Sequence, residues 1–252
     1  MKIIKVAIIQ LNSSSDKERN ISKAQELCKA AILKKADFIL LPEVFNYREH
    51  PFMVTEAEEI PGPSLAPFIK IARENKICIL AGSMAEKAPD HTKCFNTSVL
   101  INDQGKIAAT YRKIHLFNVN IAGRKIMESE VFLSGIEPIM SSVFGVPVGL
   151  SICFDLRFSD LYLKYIQQGA KIICIPSSFT HPTGQAHWET LLRARAIEGQ
   201  CFVLAPNQIG LGSSDIPCYG NSMIIDPWGK ILARASDDKE EVLVADLDIN
   251  YL

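Results

Sequence analysis

Three residues of this sequence put a nucleophile, a cation and a carboxylate at equivalent places. Cys153 follows Val146-Pro-Val-Gly-Leu-Ser-Ile152, Lys113 follows Ile107-Ala-Ala-Thr-Tyr-Arg112, and Glu43 follows Phe38-Ile-Leu-Leu-Pro42. Each runs off a short apolar, strand-like stretch, which is where α/β folds present their ligand-binding groups. A thiol beside an ammonium is biased toward thiolate, and a nearby carboxylate can take its proton and later activate water. Alone at a strand end, each of these residue types is more often solvated or packed, so the inference rests on all three converging.

The elements that must position them are legible from period and punctuation. Strands are predicted at Val6–Leu11, Phe38–Leu41, Ile77–Gly82, Thr97–Ile101, Ile107–Tyr111 and Val146–Ile152. Further strands are predicted at Lys171–Ile175, Phe202–Ala205, Ser222–Ile225, Ile231–Ala233 and Val242–Asp246. A helix from Asp16, its cap, to Lys35 repeats Ile21, Ala24, Cys28, Ala31 and Ile32 at helical spacing. A second follows Pro61-Gly-Pro-Ser64, with Ser64 as N-cap and Leu65, Phe68, Ile69 and Ala72 as its apolar stripe. Ser159 and Gly169 bracket a third, and Gln185–Gly199 forms a fourth. The alternation implies a layered α/β fold with a mixed sheet.

With 252 residues, 48% hydrophobic and 22% charged, and no linker or repeat, the chain reads as one domain, 1–252. A net charge of −1 with scattered Lys and Arg argues against nucleic acid or anionic membrane as partner, and favours a small molecule. No stretch approaches the ~18 apolar residues of a membrane span, nor does the start read as a signal peptide, so a soluble cytoplasmic protein is expected. Seven cysteines, without Cys-x-x-Cys or zinc spacing, suit a reduced compartment and no metal. Most lie in apolar runs as small hydrophobes. A Cys–His pair is the competing chemistry, but His115 lies in a strand-like block and His187 opens a helix beside Trp188, where structural roles fit better.

Leu41-Pro-Glu43, Tyr111-Arg-Lys-Ile-His-Leu116 and Ser151-Ile-Cys-Phe-Asp-Leu-Arg-Phe158 resemble the three signature blocks of the nitrilase, or carbon-nitrogen hydrolase, superfamily. The resemblance extends from Ala7-Ile-Ile-Gln10 to Asp248-Ile-Asn-Tyr251. It implies a four-layer αββα sandwich with two mixed sheets, assembled into homodimers or larger homo-oligomers so that sheets from two subunits stack between helices. It also implies hydrolysis of a small linear amide without a cofactor.

Residue by residue, the resemblance makes Cys153 the nucleophile, Glu43 the general base and Lys113 the cation beside the oxyanion. Glu128 matches an additional glutamate that positions substrate and lysine, a surface or capping carboxylate being the alternative. The Phe154 N–H is expected to assist the oxyanion. Tyr47, Thr183 and Arg157 are candidates for the pocket wall or a substrate carboxylate, with a structural ion pair the alternative for Arg157.

The segments 176–189, 192–198 and 219–223 are similar to the branch holding deaminated glutathione amidase, with ω-amidases and N-carbamoyl amidohydrolases as alternatives. A non-catalytic interaction module is the remaining alternative, and the intact Glu43, Lys113 and Cys153 argue against it. Phe154 replaces a commoner Tyr, Asn118 and Asn120 replace acidic residues, and Ala122 replaces the usual Pro before Gly123. A loop of altered shape between Lys113 and Glu128 is therefore expected.

Overall fold

Period-two alternation in the first strand already sorts the chain into layers. In β1 (Ile3–Gln10), Ile4, Val6 and Ile8 enter one core while Ala7 and Ile9 enter another, because successive Cβ atoms face opposite sides of a sheet. α1 (Lys17–Leu33) is capped by Asp16, whose carboxylate accepts from the Arg19 N–H at 3.0 Å. It lays Ala24, Leu27, Cys28 and Ala31 against Ala7 and Ile9. The structure, a computed structural model, describes residues 2–49, 52–89, 92–121, 124–211 and 217–251.

The chain continues through β2 (Phe38–Leu40), α2 (Ala66–Asn75), β3 (Cys78–Leu80), β4 (Met84–Lys87), β5 (Cys94–Ile101) and β6 (Ile107–Arg112). Next come β7 (Asn118–Ile121), β8 (Arg124–Met127), β9 (Phe132–Leu133), β10 (Ile139–Val143) and β11 (Val146–Leu150). α3 (Ser159–Gln167), β12 (Ile172–Cys174), α4 (His181–Gly199) and β13 (Phe202–Ala205) follow. The last part holds β14 (Ile209–Gly210), β15 (Cys218–Tyr219), β16 (Met223–Ile225), β17 (Ile231–Arg234) and β18 (Glu241–Asp248).

Two mixed sheets result. One runs β18-β1-β2-β3-β5-β4, with β6 and β9 also paired to β5, and its parallel centre sets Val6 level with Phe38 and Phe38 with Cys78. The other runs β10-β11-β12-β13-β16-β17, with Val148 level with Ile172 and Ile172 with Phe202. Ile4, Val6, Phe38 and Leu40 of the first share a core with Val148, Leu150 and Ile172 of the second. α1 and α2 cover the outer face of the first sheet; α3 and α4 cover the second through Tyr165, Trp188 and Leu192. This is the four-layer αββα sandwich. Both sheets come from one chain: the second half of the sequence supplies the apolar face that the first half needs.

Local boundaries also differ. α2 has Leu65 rather than Ser64 at its cap position, because the Ser64 hydroxyl donates instead to Glu58 at 2.5 Å. α4 starts at His181, where a proline in the first turn fits the helix, so His187 lies inside it rather than opening it. His115 falls in a bend beyond β6, not in a strand. The Lys113–Glu128 segment contains the β7/β8 hairpin, in which Asn118 Oδ1 accepts from the Ser129 N–H at 3.1 Å. Ala122 and Gly123 lie outside the described residues. Among the described residues no helix is long and apolar enough to cross a membrane.

Candidate active site

Glu43, Lys113 and Cys153 all lie just past strand ends, and local backbone chemistry turns each one inward. Lys113 follows β6, its N–H donating to the Asn96 carbonyl and its own carbonyl accepting from the Gly135 N–H, both at 2.8 Å. After Glu43, Val44 takes a left-handed φ of 51°, a costly conformation for a β-branched residue. Ser83 Oγ holds it by accepting the Val44 N–H at 3.0 Å. Cys153 has a φ of 47° and opens a 3-10 turn, Cys153–Arg157, its N–H bound to the Pro176 carbonyl at 3.0 Å. Such residues cost of order 1–3 kcal/mol each and persist where their surroundings over-determine them.

The fully buried Asp155 supplies much of that determination. It accepts from the Ile152 N–H (2.9 Å), the Tyr111 hydroxyl (2.7 Å) and the His115 N–H (2.9 Å), with His115 Nδ1 a further 2.7 Å contact. One carboxylate thus ties the strand leading to Lys113 to the turn that starts with Cys153.

Lys113 Nζ lies 2.9 Å from Glu43 Oε1 and 2.9 Å from Glu128, and the lysine side chain is fully buried. Glu43 also accepts from Asn96 Nδ2 at 2.9 Å and from the Ser178 N–H at 2.7 Å, while Glu128 accepts from the Phe117 N–H at 2.8 Å. Burial by itself would lower the Lys113 pKa, but the two carboxylates outweigh it and hold the ammonium well above its usual range. Burial, with Glu43 adding to it, raises Glu128 against the pull of Lys113.

Burial is also the first cause pushing the Cys153 thiol well up; Glu43 and Glu128 add to it, against Lys113 and the Ser178 N–H. Two carboxylates and desolvation thus push against the thiolate bias that one neighbouring ammonium gives, which leaves the proton's removal to a base such as Glu43.

Glu43, Glu128 and Cys153 wall a pocket of about 370 Å³ shared with Asn96, Phe117, Phe132, Phe154, Ser178, Phe179 and Thr183, with Lys113 held just behind them by the two glutamates. Phe154 and Thr183 line it. Tyr47 does not: it packs with Val44 and Met53 behind the wall, and its hydroxyl donates to Glu49 at 3.1 Å. Arg157 is likewise not part of the lining; its guanidinium lies 5.6 Å over Phe154 and 5.4 Å over Phe179, 3.2 Å from His187 Nδ1. Among the described residues it has neither an ion pair nor a carboxylate partner, and burial lowers its pKa. With His115 on Asp155 and His187 beside Arg157, neither histidine serves Cys153.

Asn96, Ser178, Asp155, Arg48 and Cys218 are the residues that sequence reasoning did not single out. Asn96 begins the polar Asn96-Thr-Ser98 run buried within the Cys94–Ile101 strand; its Oδ1 has no partner among the described residues. Ser178 has a signal, following a strand end as Glu43 does. Among the described residues no group of three or more His, Cys, Asp or Glu is placed to share a metal ion.

The profile of the family described as carbon-nitrogen hydrolase matches residues 5–252. A human protein named deaminated glutathione amidase is 39% identical over 98% of this chain and 77% of its own length. The Drosophila melanogaster nitrilase and fragile histidine triad fusion protein NitFhit is 38% identical over 98% of this chain, which spans only 54% of that longer protein. The crystal structure of the C. elegans NitFhit protein superposes with a TM-score of 0.92 at 35% identity, covering 99% of this chain and 61% of that one.

Proposed function

The chain belongs to the carbon-nitrogen hydrolase family, and from that premise we propose that it hydrolyses the carbon-nitrogen bond of a small linear amide through a thioester on Cys153. The observation that carries this reading is the double hold on Lys113, 2.9 Å from both Glu43 and Glu128 at the pocket that Cys153 lines. The span 1–252 acts as one catalytic domain.

Glu43 takes the thiol proton as sulfur attacks the amide carbon, and the carbonyl electron pair moves onto oxygen. Lys113 and the Phe154 N–H meet that oxyanion, each donor typically contributing about 3–4 kcal/mol. The proton passes from Glu43 to nitrogen, the carbon-nitrogen bond breaks, and ammonia or an amine leaves. Water then gives its proton to Glu43 and attacks the thioester; the acid departs and the thiol is restored. Glu128 positions Lys113 throughout, so the cluster titrates as a unit.

Deaminated glutathione is the substrate we favour, supported by the 176–189 segment and by the 39% identical relative. ω-Amides of dicarboxylic keto acids and N-carbamoyl amino acids are the alternatives. Turnover of deaminated glutathione, read as new primary amine, is compared with ammonia release from α-ketoglutaramate and from an N-carbamoyl amino acid. The first is expected to have the highest kcat/KM; no turnover of any of them overturns the reading. Assembly into a homodimer or larger homo-oligomer is expected by light scattering.

A further inference from the structure

Arg48 is a buried cation, 7% exposed, on the wall of the same pocket. Its Nε donates to the Ser13 carbonyl at 2.9 Å. Nη2 donates to Asn12 Oδ1 at 2.9 Å and to the carbonyls of Ile209 and Gly210 at 3.0 and 3.3 Å. Nη1 has Cys218 Sγ, at 3.0 Å, as its one acceptor among the described residues. None of these partners is a carboxylate, and among the described residues Arg48 forms no ion pair. Buried charges are ordinarily paired, since desolvating an unpaired ion is expensive. Here the guanidinium is fixed by neutral oxygens on one side, while Nη1, which carries two N–H groups, faces a thiol, a poor acceptor.

That side is the one toward the reaction centre. Cys218 Sγ lies 3.2 Å from Ser178 Oγ, and the Ser178 N–H donates to Glu43. Arg48 therefore stands two side chains away from Glu43, across a pocket with apolar walls at Met53, Phe132 and Phe179. Glu43 and Glu128 of the wall are paired with Lys113; of the remaining charged wall residues, Lys125 and Glu130 are exposed and Glu49 is half-buried. Solvent screens them more than it screens Arg48.

Resting on the hydrolase reading above, we propose that Arg48 receives a carboxylate at the far end of the substrate, so that the enzyme selects amides whose acyl chain ends in an anionic group a few bonds from the scissile bond. The role expected of Arg157 would thus fall to Arg48, because Arg157 is occupied with rings outside the lining.

The probes are the monoamide of succinic acid and butanamide, which match in length and differ in charge. For the natural chain kcat/KM should favour the anionic amide, and in Arg48→Met that preference should fall about 10²-fold, the scale for losing a buried charge partner. Arg48→Lys, which keeps the charge but not the planar fork, should fall in between. An unchanged preference in folded Arg48→Met overturns the proposal. Binding of succinate to Cys153→Ala, by calorimetry, separates this site from the chemistry. Adding Arg48→Met, or Arg48→Lys if the former does not fold, should weaken it at least several-fold. Equal affinity overturns the anion site, whereas tight, Arg48-dependent succinate binding with no turnover of either amide or of the three substrates named above supports the site and overturns the hydrolase reading.

Discussion

Tyr111 gives its hydroxyl to Asp155 at 2.7 Å, and through that one bond the strand leading to Lys113 is held against the turn that presents Cys153. Both residues are fully buried, and neither lines the pocket. Tyr111→Phe should therefore cost about 1–3 kcal/mol in urea unfolding, the penalty for leaving a buried polar group short of a partner. It should also lower kcat with KM nearly constant, since it disturbs alignment and not contact. Wild-type stability together with wild-type kcat would show that the tie does no positioning.

Cys153→Ala is expected to lose at least about 10⁴-fold in turnover, the scale for removing a nucleophile that works in a unit, while Cys174→Ala and Cys201→Ala retain activity. All three thiols are buried, but only Cys153 lies in the field of Glu43, Glu128 and Lys113. Because its pKa is pushed up by burial and the two glutamates, inactivation by iodoacetamide should still accelerate above pH 9. A rate already flat from pH 7 would indicate a resting thiolate and refute the electrostatic account.

Lys113→Gln should abolish turnover, because an amide cannot meet an oxyanion with full charge. It also leaves Glu43 and Glu128 facing each other without their cation, a loss of about 3–5 kcal/mol for breaking a buried ion pair. The sign with pH follows. Burial and Glu43 already raise Glu128, and removing the ammonium that pulls it down raises it further above its unfolded value, so the folded state binds more protons and stability falls as pH rises. Relative to wild type, the variant should thus be more stable at pH 5 than at pH 8. Glu128→Gln keeps a hydrogen-bonding amide and should lose less activity. A folded, active Lys113→Gln in steady-state assays and circular dichroism would reduce that lysine to a structural role.

Burial pushes the thiols of Cys28 and Cys201 from 9.0 up to about 12. Folded-state values above the unfolded ones mean stability that is present below pH 9 and lost as pH climbs from about 9 to about 12. Each thiol contributes a slope of about 1.4 kcal/mol per pH unit across that window. Urea midpoints measured at pH 8, 9.5 and 10.5 should fall, and less steeply in Cys28→Ala than in wild type. Parallel slopes would mean that the Cys28 thiol ionises in the folded state as freely as in the unfolded one.

Local pattern in the sequence was enough for the α/β class, the Asp16-capped helix, the positions of the central strands and the placement of Glu43, Lys113 and Cys153 past strand ends. Those features depend on alternation, capping and punctuation within a dozen residues, which neighbouring side chains express directly. The β7/β8 hairpin escaped because the alternation of Asn118-Val-Asn-Ile121 lasts only four residues and gains its partner only across the turn. Residues whose meaning is set by distant partners were also out of reach. Asn96 matters because Glu43, 53 positions away, accepts its amide. Asp155 matters because Tyr111 of β6 and His115 of the bend beyond it reach it from the other sheet. Tyr47 is removed from the pocket by its packing. The electrostatics of Cys153 depended on tertiary structure most of all: sequence places an ammonium near a thiol, whereas only the folded arrangement brings two carboxylates and burial to bear on the same sulfur, and in a low-dielectric interior they act against the bias that the ammonium gives.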